Sequence, residues 1–409
     1  MLDGPVVILG ILALAAAAIA ARTADVIQTT DIVRPLILAL ILPIIWLAFQ
    51  AIPMPFAALS HSVWASAAAA LHENRFGHIS IDPGLTVATL LEYLSGVVLI
   101  LATILVTRDR RRAEQTLFAL GVVTPLAAST LLAIHFGQSS ASARIFSASP
   151  DALATVSSLG LIIDLSVGIR VIERFESRRG QAEYPAGFPI AGLMICAAGA
   201  LLCLLAFISV ATIDLGIVTG FAVVAFLLVQ AVRRFGLAPW MVGALFITYI
   251  AGAAMIVIWR YGGNQALPFV LQFATTSGEA TATAQRMLAD TGWLGSGGGT
   301  FAALLPIYQD AGATAVRPPT TVAGLAIEWG RPAMLAAVAC VIWLIIVLFR
   351  GALARGRDSF YPAGAAACVV FLLGQAFCNV GLSQSAVSLL VEVVIGLGLA
   401  QSTSRAGTG

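Results

Sequence analysis

The chain reads as an all-α, polytopic integral membrane bundle. Two observations predict this. Of its 409 residues 59% are hydrophobic and only 10% are charged, against about a quarter charged in a soluble domain. The apolar residues also gather into runs of membrane-spanning length, with the charges in the gaps between them. A bilayer core needs about 20 apolar residues per helix. Candidate spans lie near residues 5–21, 35–52, 86–106, 115–135, 152–170, 188–209, 212–232, 239–259, 332–349, 361–380 and 386–401. These are about eleven helices in a single membrane domain, residues 1–409. The first run is preceded by Asp3 rather than by a basic segment, which predicts a retained helix and not a cleaved signal peptide.

Arginine placement predicts the orientation. Arg108 and Arg110–Arg112 lie between the third and fourth spans, and Arg170, Arg174, Arg178 and Arg179 follow the fifth. Arg233 and Arg234 follow the seventh, and Arg350, Arg355 and Arg357 follow the ninth. With alternating spans every one of these loops falls on one side, which the positive-inside rule makes cytoplasmic. The C-terminus, with Arg405, is then inside and the N-terminus outside. Outside lie residues 53–85, 136–151 and a large loop, 260–331. Long loops on a rigid scaffold are where function concentrates.

No Cys/His spacing resembles a metal site. The five cysteines fall inside apolar runs, and the four histidines are scattered. No metal is expected. Nothing in the chain suggests nucleic-acid binding, and membrane lipids are its expected surroundings.

The large outer loop holds the densest unusual chemistry. It contains Gly292-Trp-Leu-Gly-Ser-Gly-Gly-Gly299, then Thr300, Phe301 and Pro306-Ile-Tyr308. Gly297 and Gly299 let the backbone approach a ligand or turn with positive φ. One reading is an anion cradle built from backbone N–H groups, and the other is a flexible turn. It is no Walker A loop, because no Lys-Ser/Thr follows. The same loop carries Arg260, Arg286, Arg317 and Arg331 beside Glu279, Asp290, Asp310 and Glu328, and it has no lysine. Arginine presents a planar fork that suits phosphate or carboxylate. These four either hold an anionic ligand such as a pyrophosphate or pair with the acids. Residues 321–330 read as a short helix entering the ninth span. Glu328 either pairs with Arg331 or Arg317 there, or serves as a base.

Pro53-Met-Pro55 stops the second span. Trp64 and the small-residue stretch 65–71 suit an interfacial helix, and Asp82-Pro83 a turn with Thr86 near the next helix cap. Within the spans the acids are Glu92, Asp164, Asp214 and Glu392. Intramembrane acids are functional candidates, and an ion pathway would require several to face one another. Asp164, six residues from Arg170, reads as close to an interface.

In order along the chain, these strings resemble the bacterial O-antigen ligase and polymerase superfamily. Ile52-Pro-Met-Pro55, Trp64, Ile79-Ser-Ile-Asp-Pro83 and Thr86 look like its early outer loop. Arg286, Trp293 to Phe301 and Pro306-Ile-Tyr308 resemble its large outer loop, and Glu328-Trp-Gly330 the Glu-x-Gly opening the next span. The run Cys378 to Val387, and Gly396 to Gln401, resemble its last helices. The resemblance implies about twelve spans in the inner membrane. It implies transfer or polymerisation of an undecaprenyl-pyrophosphate-linked glycan onto a glycan or lipid acceptor at the periplasmic face, with no cofactor. On it, Glu328 and Arg286 would be catalytic, and Arg260, Arg317, Arg331, Gly297, Gly299 and Tyr308 would bind substrate. Two departures stand out. The ligase His-Asn pair is replaced by Pro319-Thr320, and its Ser-Arg-Gly by Ala211-Thr-Ile-Asp-Leu-Gly216. Two other classes fit the composition: a transporter for a lipid or anionic solute that uses the deep acids, and a non-catalytic scaffold of polysaccharide assembly.

Overall fold

The computed structural model describes residue 30 and residues 32–56, 59–72, 76–136, 149–178, 187–236, 239–261, 268–274, 278–309, 318–354 and 358–402. The expected first span, 5–21, and Arg317 lie outside them, as does the side chain of Arg260.

The described residues form an all-α bundle with no strand, only an isolated bridge between Met54 and Gly77. We number the helices α1 (Ile37–Ala51), α2 (Ser62–Leu71), α3 (Pro83–Thr107), α4 (Arg110–Phe136), α5 (Pro150–Arg178), α6 (Gly187–Val210) and α7 (Ile213–Phe235). They continue as α8 (Pro239–Tyr261), α9 (Gly278–Asp290), α10 (Phe301–Tyr308), α11 (Thr321–Glu328), α12 (Arg331–Ala354), α13 (Phe360–Cys378) and α14 (Ser385–Ala400). Among the described residues, 8 helices are long and apolar enough to cross a membrane: α1 with its preceding turn, α3 to α7, α12 and α13. Apolar helices also occupy Trp240–Ile256 and Ala386–Ala400, where two further spans are expected. The chain is a multi-pass membrane protein.

Helices α5 and α13 form the enclosed centre of the bundle. Between lipid-exposed helices there is no hydrophobic gain, so close approach depends on small residues. Helix α13 supplies these as Ala363-Gly-Ala-Ala-Ala367, all buried. A side chain at Gly364 would meet Ser166 of α5, and one at Gly398 of α14 would meet Ala365.

The arginine loops gather at one end. Arg110 bonds Asp358 at 3.0 Å, and Arg170 bonds Glu114 at 2.6 Å. Arg233 reaches Glu173 at 3.7 Å, and Arg234 reaches Glu176 at 3.1 Å. Gln401 Nε2 donates to the Thr107 carbonyl at 2.6 Å, which brings the ends of α14 and α3 to the same place. The connections α1–α3, α9–α12 and α13–α14 meet at the opposite end.

There Met54 N–H donates to the Gly77 carbonyl at 2.7 Å, and α1 stops at Ala51 before the Pro53-Met-Pro55 sequence. Helix α3 is capped by Asp82, not by Thr86. The Asp82 carboxylate accepts from the N–H groups of Gly84 (2.9 Å) and Leu85 (3.1 Å). Thr86 is buried one turn further on, where its hydroxyl bonds Ser80 at 2.7 Å. Helix α2 is capped by the His61 ring, which accepts from Val63 N–H at 3.3 Å.

Candidate functional site

The glycine run is neither open nor loose. Gly295 (φ 79°), Gly297 (φ 107°) and Gly299 (φ 74°) all occupy conformations that side chains disfavour. Each also lies against a neighbour. A Cβ at Gly295 would meet the Trp329 carbonyl carbon at 2.6 Å, and one at Gly299 would meet the Thr89 hydroxyl at 2.7 Å. At Gly298 it would meet the Leu47 side chain at 2.7 Å. The run is thus a buried wedge between α1, α3 and the α11–α12 junction.

Most of its N–H groups have acceptors inside the chain. Ser296 N–H donates to the Ile327 carbonyl at 3.0 Å, and Gly297 N–H donates to the Glu328 carbonyl at 2.9 Å. Ile81 N–H donates to the Ser296 carbonyl at 2.8 Å, which joins the first outer loop to the wedge. The anion-cradle reading therefore acquires an internal ligand. Phe301 N–H, at the start of α10, donates to a Glu328 carboxylate oxygen at 3.1 Å, and Gly299 N–H also bonds this carboxylate. A helix start suits a negative charge. The carboxylate held there belongs to the protein.

Two opposed effects act on Glu328. Burial pushes its carboxyl up from the ordinary value, and the N–H bonds from Gly299 and Phe301 pull it down; burial prevails. Of the alternatives the sequence leaves open for Glu328, the pairing with Arg331 is not formed, and Arg317 lies outside the described residues. Arg331 Nη2 donates instead to the Leu288 carbonyl in the last turn of α9, at 2.9 Å. Arg286 lies on the same helix, exposed, with its guanidinium 3.4 Å from the Thr283 hydroxyl. The structure thus brings two of the four candidate arginines to α9. Tyr308, at the end of α10, bonds the Asp290 carboxylate; burial and that bond both push its phenol up.

Residues that sequence reasoning missed complete the wedge. Gln50, fully buried near the end of α1, donates from Nε2 to the carbonyls of Leu294 (2.8 Å) and Glu328 (3.0 Å). Trp46 Nε1 donates to the Trp329 carbonyl at 2.9 Å. A lone amide inside an apolar span was the available signal, since buried polar groups in membranes need partners. A second network flanks the wedge. The Asn379 carbonyl accepts from Thr321 N–H and Oγ at 3.1 and 3.0 Å, and its side chain accepts from Gln375 at 3.1 Å.

The deep acids separate into two groups. Asp164 is 2% exposed. It lies between Gly121 and Gly199, and its Oδ2 has no hydrogen-bond partner among the described residues. Asp214 lies in the first turn of α7. Glu92 and Glu392 line a common cavity of about 450 Å³ together with Thr89, Tyr93 and Trp329. This cavity adjoins the wedge, because Thr89 touches Gly298 and Gly299 and Trp329 follows Glu328. Among the described residues no cluster of three or more metal-binding side chains occurs.

Comparison with protein-family models, with curated proteins and with solved structures finds no match to this chain.

Proposed function

We propose that this protein transfers or polymerises a glycan carried on a polyprenyl pyrophosphate, at the membrane face bearing the glycine wedge. The observation that carries the reading is Glu328, a carboxylate fixed by two backbone N–H groups at a helix start. Burial raises its proton affinity, which brings a carboxylate toward general-base duty near neutral pH. In the proposed step Glu328 accepts the proton of an acceptor hydroxyl. The acceptor oxygen bonds the anomeric carbon as the carbon–oxygen bond to phosphate breaks, and the bonding pair leaves with the pyrophosphate. Arg286 on α9, and Arg331, which bonds the last turn of α9, are the cations assigned to that leaving group, with Arg260 and Arg317 as second choices. Gly297 and Gly299 act by holding Glu328 and the α11 backbone, and Tyr308 lies on the neighbouring helix end. The positive-inside rule turns the arginine end toward the cytoplasm. On this reading the chain sits in a bacterial inner membrane with the wedge in the periplasm.

The test is direct. Purified protein in detergent, given a polyprenyl-pyrophosphate oligosaccharide and an acceptor, should lengthen or transfer the glycan without any ion gradient. Glu328→Gln should slow the reaction by about 10²–10⁴-fold. A parent protein inert in this assay would refute the proposal.

One observation favours a second reading. Glu92 and Glu392 do face a common cavity, as an ion-coupled transporter would require. On that reading no product forms in detergent, and Glu92→Gln and Glu392→Gln impair solute uptake while Glu328→Gln does not.

A further inference from the structure

The cavity beside the wedge has a chemistry that glycan transfer does not use. It is bounded by α1, α3, α14 and the α11–α12 junction, and it holds about 450 Å³. Its acidic side chains are Glu92 from α3, which is exposed, and Glu392 from α14, which is half-buried. Nine residues of helix separate Glu92 from the start of α3, and seven separate Glu392 from the start of α14. At 1.5 Å per residue these carboxylates lie about 14 Å and about 10 Å below those starts. That is well inside the apolar depth of a bilayer, where ionisable side chains are candidates for function. Gly96, one turn beyond Glu92, is the residue over which the Glu392 side chain folds. A Cβ there would meet the Glu392 Cδ at 3.1 Å. The glycine therefore lets the second carboxylate reach the wall that carries the first.

The volume and the remaining wall decide what cation fits. An inorganic ion occupies a small part of such a space, and small-molecule sites run from about 300 to 1,000 Å³. The rest of the lining is mostly hydrocarbon, as at Leu40, Val97 and Ile100, with Tyr93 and Trp329 as aromatic surfaces. The Tyr93 hydroxyl donates to the Leu40 carbonyl at 3.2 Å, which holds the ring in place. Aromatic faces and carboxylates together recognise ammonium groups, and apolar walls recognise an alkyl body. We propose that this cavity binds an organic cation: a primary or quaternary ammonium group seated between Glu92 and Glu392 and carrying an apolar chain. The ammonium can belong to a membrane lipid or to a free amphiphilic amine.

The full chain in nanodiscs of phosphatidylglycerol, a lipid without an amine, is the assay system. Tritiated decylammonium and tritiated decanol are the probes, corrected by empty discs. The expected result is saturable binding of decylammonium and none of decanol. Glu92→Gln and Glu392→Gln, which keep size and remove charge, should each weaken decylammonium at least about tenfold. Adding phosphatidylethanolamine to the discs separates the sources. Competition with the probe assigns the site to a lipid amine, and unchanged binding assigns it to a free amine. Saturable decanol binding equal to that of decylammonium would overturn the proposal. So would absence of saturable decylammonium binding, or an unchanged affinity in both variants. The comparison of the two probes on the parent stands even where a variant fails to fold. It is also independent of glycan transfer, so either proposal can fail alone.

Discussion

The two ends of this bundle are held together by different chemistry. At the arginine end most of the contacts are side-chain ion pairs linking consecutive or neighbouring helices: Arg110 to Asp358, Arg170 to Glu114, Arg233 to Glu173, Arg234 to Glu176. At the wedge end the contacts run mostly to backbone. Gln50, Trp46 and the N–H groups of Ile81, Ser296 and Gly297 all find carbonyl partners there. Side-chain ion pairs weaken in salt when exposed and tolerate movement. A backbone lattice built on positive-φ glycines allows no side chain and little displacement. The difference suits the wedge end to hold one carboxylate, Glu328, in one geometry. On the proposed topology the arginine end mainly orients the chain.

Substitutions at the two ends should separate these roles. The largest expected loss is at the most buried ion pair. Arg170 is 5% exposed beside Glu114, and its guanidinium also lies 4.3 Å from the Phe118 ring centre. Arg170→Ala should destabilise by roughly 3 kcal/mol, because it removes the buried guanidinium and leaves Glu114 only Arg110, 3.6 Å away. Thermal unfolding in detergent checks this. Gly295→Ala comes next, at roughly 2–3 kcal/mol. The added methyl must displace the Glu328–Gly330 backbone and also endure a positive φ. Unlike Arg170→Ala, it should also disturb Glu328 and whatever chemistry depends on it. Gln50→Leu should cost about 1–3 kcal/mol, since it strips the donor from two carbonyls. Arg234→Ala sits at the bottom of the series, at about 0–1 kcal/mol, because both members of its pair are exposed to solvent. A large loss from Arg234→Ala with little from Gln50→Leu would reverse the comparison.

The wedge end should also give two opposed responses to pH. Burial raises the Glu328 carboxyl, so the folded chain holds that proton more tightly than the unfolded chain does. The resulting stability is complete below the ordinary carboxyl value of 4.5. It is lost as pH rises through the raised value, and it is flat above that. His61 runs the other way. Burial lowers it from 6.5, and the Val63 N–H requires its ring nitrogen unprotonated. Stability at the α2 cap should therefore fall as pH drops below about 6.5. Glu328→Gln should remove the first dependence and leave the second. Unfolding curves of parent and variant across pH measure both.

Much of the fold was legible in the sequence because a bilayer imposes a coarse rule on it. The apolar runs at 86–106, 115–135 and 361–380 each became one helix, and the arginine loops did converge on one end. Capping was less legible. Asp82 and Thr86 both suit a helix start, and only the backbone direction selected Asp82. The glycine run announced an unusual backbone, yet its neighbours are far away in the chain. Gln50 and Leu294 are 244 residues apart, and Phe301 and Glu328 are 27 apart. No local pattern reports such pairings. The facing of Glu92 and Glu392 was hidden for the same reason, since it depends on α3 packing against α14 and on Gly96 yielding space.

The most direct test of the account concerns which side the wedge end faces, because Glu328 acts on an externally displayed glycan only if that end is outside. Ser296 is unsuited as a reporter, being 1% exposed. Ile307, at 73% exposure on α10, and Phe235, at 74% exposure beside Arg233 and Arg234, are accessible positions at opposite ends. With the parent as background, Ile307→Cys in intact cells should react with a membrane-impermeant maleimide. Phe235→Cys should react only after the membrane is opened. Labelling of Phe235→Cys from outside, with Ile307→Cys protected, would contradict the account.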